Sequence, residues 1–76
     1  MKTIGILGGM SWESSVEYYR IINQLVAEKL GGLHSAKSVM VSVDFDPIEE
    51  LMSAGEWDQV SAHLEEAAIQ AEAAGA

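Results

Sequence analysis

The residues best suited to chemistry in this chain form one short passage, Gly8-Gly9-Met10-Ser11-Trp12. An apolar run ends there at paired glycines and a helical pattern follows, so backbone N–H groups without helical partners should lie at the helix start. Such amides suit a carboxylate or a phosphate, because the helix dipole adds about half a positive charge at its amino end. We therefore expect an anion site here. The alternative is that the two glycines only form a tight strand-to-helix turn.

Other motifs are weaker or absent. The spacing Gly5-x-x-Gly8-Gly9 fits neither the dinucleotide fingerprint nor the P-loop, so nucleotide binding is the less favoured choice. The chain has no cysteine, which excludes disulfides, thiolate metal sites and a cysteine nucleophile within these residues. No histidine lies close in sequence to Ser11, Ser14 or Ser15, so local sequence gives no support for a hydrolytic triad.

Two carboxylates follow the second apolar run. Asp46 precedes Pro47, a pairing typical of a helix start, and this assigns Asp46 as an N-cap. Asp44 is then the candidate for a polar role beside a ligand, and the alternative is a solvated turn residue. No third oxygen ligand lies nearby, so we expect no metal site. His34 and His63 are expected to be surface histidines.

Periodicity and turn residues predict five elements. They are a strand over Thr3–Leu7, a helix capped by Ser14 and Glu17 that stops at Gly31-Gly32, a strand over Ser38–Val43, a brief helix from Asp46 to near Gly55, and a helix over Trp57–Ala74. The order predicts an α/β fold, the β-α-β-α-α start of a doubly wound parallel sheet that is incomplete without a third strand.

Sheet topology places the candidate residues. Ligands of open α/β sheets bind beyond the carboxyl ends of the strands, so the Gly8–Trp12 passage and Asp44 should face one crevice. The first strand should be central and needs a neighbour on each side. A bare edge favours pairing with another chain, so a homo-oligomer through the exposed edge of the first strand is one expected remedy.

Composition restricts the partners. The 76 residues carry a net charge of −8 and form at most one small domain with a thin apolar interior. The negative charge argues against nucleic acid and anionic membranes as partners. No apolar stretch reaches the roughly 18–20 residues of a membrane span, and no cleavage site follows the opening run. We expect a cytoplasmic protein, in keeping with the lack of cysteine.

Taken as a string, Met1–Ser14 (MKTIGILGGMSWES) closely resembles the opening of the aspartate/glutamate racemase family, which are cofactor-independent amino-acid racemases. Four further blocks resemble that family: Tyr18–Asn23, Leu30–Ala36, Ser42–Phe45 and Gly55–Trp57. The resemblance covers the whole chain.

The resemblance implies a fold of two pseudo-symmetric α/β halves with the substrate between them. It also implies a mechanism in which two opposed thiols exchange a proton at the α-carbon, with no cofactor. Residues 1–76 would be the amino-terminal part of the first α/β domain, and both thiols would lie beyond Ala76, the first on a Cys-Thr-Asn-Thr-type segment. This piece would hold no catalytic residue and would not racemise an amino acid alone.

The resemblance also implies substrate contacts. Met10 would line the pocket for a small amino acid or carboxylate, with Gly9, Ser11 and Trp12 as its neighbours in the loop. Met52, Ser53 and Ala54 match a mobile stretch that bears an arginine in relatives acting on acidic amino acids. The missing arginine implies a broader or non-acidic specificity. The alternatives are a non-catalytic module that binds a small carboxylate or self-associates, and a truncated product without function.

Overall fold

The computed structural model describes residues 1–76 in the order β1-α1-β2-α2-α3. The elements are β1 (Ile4–Gly8), α1 (Trp12–Leu30), β2 (Ser38–Ser42), α2 (Phe45–Ser53) and α3 (Trp57–Ala73). β1 and β2 pair in parallel, with Ile4 opposite Ser38 and Gly8 opposite Ser42. This two-stranded, unclosed sheet confirms the predicted incomplete α/β start.

The helices α1 and α3 cover opposite faces of the sheet. Gly5 and Gly8 show this, because residues three apart in a strand point to opposite sides of the sheet. A methyl group built on Gly8 would lie 2.8 Å from Ser15 Oγ of α1. One built on Gly5 would instead lie 3.6 Å from the Cβ of Ala71 in α3. The glycines of β1 therefore let a helix approach the strand closely on each side.

The apolar interior is thin, as the short chain predicts. The buried apolar residues are Ile6, Ile48, Val60, Ala67 and Ala71. Val16 and Leu25 of α1 remain 56% and 51% exposed. The radius of gyration is 14.5 Å, against about 11 Å for a compact chain of this length. The molecule is extended, and much of α1 lacks a covering layer.

Two helix starts differ from the predicted ones. α1 begins at Trp12, so Ser14 lies inside the helix and Ser11 holds the N-cap position. The cause is the backbone of the turn, where Gly9 (φ 93°) and Ser11 (φ 66°) are both left-handed and bring the chain into the helix early. Neither Ser11 nor Ser14 caps through its side chain.

α2 likewise begins at Phe45, with Asp44 at the N-cap position in an extended conformation. Asp46 and Pro47 lie in the first turn rather than at the cap and the first position. Proline is tolerated there, since the first N–H groups of a helix have no helical acceptor.

The connection from α1 to β2 begins with two glycines and is attached to α1 by a hydrogen bond near β2. Gly31 (φ 74°) and Gly32 (φ 58°) end α1 as predicted. Farther along, the Ala36 N–H donates to Asn23 Oδ1 at 2.8 Å, while Asn23 Nδ2 donates to the Tyr19 carbonyl at 2.8 Å. Asn23 thus ties the middle of α1 to the residues that lead into β2. None of the helices combines the length and apolarity needed to cross a bilayer.

Candidate functional site

The carboxyl ends of β1 and β2 lie side by side. Gly8 is opposite Ser42, and the Val43 N–H donates to the Gly8 carbonyl at 2.8 Å. The passage from Gly9 to Trp12 and the passage at Asp44 therefore leave the sheet from neighbouring points. This edge is where ligands bind in open α/β sheets.

Gly9 is buried and serves the packing of its own chain. Its N–H donates to Ser15 Oγ at 2.9 Å. A methyl group built on Gly9 would overlap the Val43 carbonyl oxygen and lie 2.6 Å from the Val43 nitrogen. The tight-turn alternative thus explains this glycine, and its amide is not free to bind an anion. Contact between Gly9 and a substrate stays a prediction.

The next four amides are different. The N–H groups of Met10, Ser11, Trp12 and Glu13 donate no hydrogen bond within the chain, and the first turn closes only with the Ser14 N–H on the Ser11 carbonyl. They also lie at the positive end of the helix dipole. The expected anion site therefore begins at Met10, one residue after the Gly8-Gly9 pair.

Ser11 is the single residue other than glycine with a positive φ, at 66°. This conformation is unfavourable for a side chain with a Cβ and is concentrated at functional turns. Ser11 Oγ donates to Glu13 Oε2 at 3.2 Å, which places a carboxylate beside the same amides. Glu13 interacts favourably with the helix dipole, and its negative charge repels an incoming anion.

Met10 and Trp12 are the large side chains of the passage. Met10 is 36% exposed and Trp12 is 65% exposed. Trp12 borders an open cavity of about 260 Å³, lined also by Ser15, Val16, Tyr19, Met40 and Ser42. The lining is mostly apolar, so this corner suits an apolar or aromatic group better than a charged one.

Met52, Ser53 and Ala54 lie at the other end of α2. The eight-residue advance from Phe45 to Ser53 corresponds to a rise of about 12 Å. Ser53 Oγ donates to Glu49 Oε1 at 2.9 Å, and the Ala54 N–H donates to the Glu50 carbonyl at 3.0 Å. No residue of α2 lines the cavity beside Trp12. A substrate contact for these three residues remains a prediction.

A second cavity, of about 270 Å³, lies between β2, α2 and α3 and brings Asp44 together with His63. Its polar lining is Ser42, Asp44, His63, Glu66 and Gln70. His63 is exposed, as predicted, and it lines the same cavity as Asp44. The spacing of His63, Glu66 and Gln70 puts them on one face of α3, but no local signal in the sequence relates that face to Asp44. The structure contains no cluster of three acidic or histidine side chains that could hold a metal ion.

The chain's single arginine is already engaged. Arg20 Nη2 donates to Glu17 Oε2 at 2.7 Å, and Arg20 Nη1 donates to Gln24 Oε1 at 2.9 Å. The hydrogen bond and the charge of Arg20 lower the pKa of Glu17, and those of Glu17 raise the pKa of Arg20. Glu17 is thus an ion-pair partner instead of the predicted capping residue.

No protein-family model matches the chain. Among solved structures, one described as "a putative Asp/Glu Racemase from Yersinia pestis" covers 100% of this chain with a TM-score of 0.98 and 54% sequence identity. The resemblance to the aspartate/glutamate racemase family is confirmed. It extends over every element from β1 to α3. This chain spans 33% of the length of the Yersinia pestis racemase-like chain.

Proposed function

We propose that residues 1–76 are the amino-terminal part of the first α/β domain of an amino-acid racemase, and that the loop from Gly9 to Trp12 helps to bind the substrate. The observation that carries this proposal is the 54% identity and the TM-score of 0.98 with the Yersinia pestis protein. The shared edge of the two strands supports it independently, because that edge is where open α/β sheets bind ligands.

In this proposal the chain binds and orients the substrate but does not move its proton. Racemisation removes a proton from one face of the α-carbon and returns a proton to the other face. A two-thiol mechanism needs an acid and a base on opposite sides of that carbon. These residues contain no cysteine, so both thiols must be supplied from outside them. No cofactor is required.

The amides of Met10, Ser11, Trp12 and Glu13 have a specific role in this reaction. When the α-proton leaves, negative charge spreads from the α-carbon onto the adjacent carboxylate. Fixed N–H donors that point at that carboxylate stabilise the developing charge more than the starting charge. The free amides at the start of α1 are of the right kind and lie at the right edge of the sheet.

The surroundings favour a substrate with an uncharged side chain. Arg20 is paired with Glu17, and no arginine lies in Met52–Ala54 to hold a second carboxylate. The cavity beside Trp12 is bordered by Val16, Tyr19 and Met40, which suit an apolar group. We therefore propose a broad or non-acidic amino-acid specificity, and a cytoplasmic location where free amino acids are abundant substrates.

The experiment is an NMR titration of the ¹⁵N-labelled chain with L-leucine and with L-aspartate. We expect saturable shifts at the amides of Met10 to Glu13 and none at Gly32, at the far end of α1. The amino alcohol leucinol, which lacks the carboxylate, should give no such shifts. Shifts absent from Met10 to Glu13 with both amino acids would contradict the binding role.

A matched pair of variants sharpens the titration. Glu13→Gln removes a negative charge beside the free amides, so affinity for a carboxylate should rise about two- to fivefold. Glu28→Gln removes the same charge from the exposed far end of α1 and should leave the affinity unchanged. Equal responses of the two variants would show that net charge, and not the local site, governs binding.

A further inference from the structure

The cavity of about 270 Å³ between β2, α2 and α3 has a lining that the proposed racemase role does not use. We call it the Asp44 cavity. Its lining includes two side chains of the buried core, Ile48 at 2% exposed and Ala67 at 3% exposed. The polar residues of the lining are Ser42, Asp44, His63, Glu66 and Gln70. An apolar wall with a few polar groups is the usual composition of a site for a small molecule.

The polar side chains of the Asp44 cavity are free of partners within the chain, since none of the side-chain hydrogen bonds of the structure involves them. Asp44 is the clearest case. It occupies the N-cap position of α2, but its carboxylate accepts no hydrogen bond from the helix. An aspartate at that position usually accepts a backbone N–H of the first turn. The carboxylate of Asp44 is therefore available to a ligand.

The charge of the lining selects a cation. Asp44 and Glu66 contribute two carboxylates, and none of the chain's four lysine and arginine residues lines the cavity. The net charge of −8 also draws cations toward the surface and repels anions. The acidic and histidine side chains do not converge closely enough to hold a metal ion. An organic cation needs no such convergence, because one charged group and an apolar body can contact different parts of the lining.

We propose that the Asp44 cavity binds a small primary alkylammonium ion. The ammonium group has three N–H donors and no acceptor, so the carboxylates of Asp44 and Glu66 and the hydroxyl of Ser42 suit it. Hydrogen bonds between charged groups are the stronger ones. The hydrocarbon part of the ligand lies against Ile48. A free amine and a lysine side chain of another protein share this chemistry, and the small volume favours the free amine. The site does not rest on the racemase proposal.

The test is an NMR titration of the ¹⁵N-labelled chain with butylamine at neutral pH, in about 0.15 M sodium chloride to screen distant charges. We expect saturable shifts at the amides of Asp44, His63 and Gln70, and none at Met10 to Glu13. Two analogues lack one feature each: 1-butanol lacks the charge, and butyltrimethylammonium lacks the N–H donors. Both should bind at least about tenfold more weakly, because the charge and the donors act together.

A further ligand distinguishes the two sources of the ammonium group. Nα-acetyl-lysine amide carries the same butylammonium end on a peptide unit. Weaker binding of this compound than of butylamine is expected, because the peptide unit does not fit a cavity of this volume. Tighter binding of the lysine compound would overturn the choice of a free amine and assign the cavity to a lysine side chain.

Two matched pairs of variants separate the cavity from net charge. Asp44→Asn and Glu66→Gln each remove one charge from the lining and should weaken butylamine binding about three- to tenfold. Asparagine is also a good N-cap residue, so Asp44→Asn should keep the start of α2. Asp46→Asn and Glu65→Gln remove the same charge from residues outside the lining and should change the affinity less than about twofold.

Three results would overturn the site. The first is the absence of saturable shifts with butylamine. The second is equal weakening by all four substitutions, which would show that net charge holds the amine. The third is binding of 1-butanol as tight as that of butylamine, which would show a merely apolar cavity. The proposed function is tested separately, since it predicts shifts of the Met10 to Glu13 amides with amino acids and makes no demand on the Asp44 cavity.

Discussion

Ser15 connects the first turn of α1 to the end of β1 through one buried hydrogen bond. Its hydroxyl accepts the Gly9 N–H at 2.9 Å, and the side chain is almost fully buried. Ser15→Ala leaves that N–H without an acceptor and should lower the free energy of unfolding by about 1–3 kcal/mol. Urea unfolding followed by circular dichroism measures the change. Ser14→Ala, one position earlier and exposed, should change it by less than about 0.5 kcal/mol.

Gly9 should tolerate a methyl group less well than another left-handed glycine. Gly9→Ala and Gly55→Ala both force alanine into a left-handed conformation, at a cost of about 1–2 kcal/mol. Only at Gly9 does the methyl group also meet the backbone of Val43, which adds about 1–3 kcal/mol of strain. No atom lies within 4 Å of the methyl position at Gly55. Similar urea midpoints for the two variants would contradict the close packing at Gly9.

At the scale of elements, α1 is attached to the connection before β2 by Asn23. Asn23→Ala removes the acceptor of the Ala36 N–H. Exchange of that amide with solvent should become about tenfold faster, the equivalent of one lost hydrogen bond. Hydrogen exchange followed by NMR reports it directly. Gln24→Ala removes an exposed hydrogen bond to Arg20 and should leave the Ala36 rate unchanged.

The pair of Glu17 and Arg20 gives α1 a pH dependence of known sign. Its partner lowers the pKa of Glu17 in the folded helix, so the pair stabilises the helix above the ordinary pKa of glutamate. That contribution is lost as the pH falls through the lowered pKa. Both side chains are about half exposed, so the effect is small. A circular dichroism titration should show a shallower acid loss of helix for Glu17→Gln than for the parent chain.

The sequence predicted the order of elements because each signal is local. The alternation of Val39 and Val41 with Met40 marks β2, and Gly31-Gly32 ends α1. The start of α1 differs from the prediction in a turn with a non-local contact. Gly9 packs against the backbone of Val43, which is distant in sequence. A glycine pair fits close approach of a ligand or of the chain itself equally well, and the structure shows the packing of Gly9 against Val43.

At the scale of the whole molecule, repulsion among the negative charges opposes compact folding. The chain carries twelve acidic and four basic residues around a small buried core. Salt screens repulsion between exposed like charges, so the thermal midpoint should rise between about 0.01 and 0.15 M sodium chloride. Differential scanning calorimetry measures the midpoint, and sodium sulfate at matched ionic strength separates screening from effects of the anion. A midpoint that falls with added salt would contradict this account.

Ala76 lies beside Gly5 in the first half of β1 and Met1 lies just before β1, so both ends of the chain are at the amino-terminal end of this strand. A short linker can therefore join the ends, and the chain can be reopened at Leu33, which is fully exposed in the turn after α1. Such a circular permutant would begin with β2 and end with α1. It would free α1 from its covalent connection to β2 while keeping every pairing of the sheet.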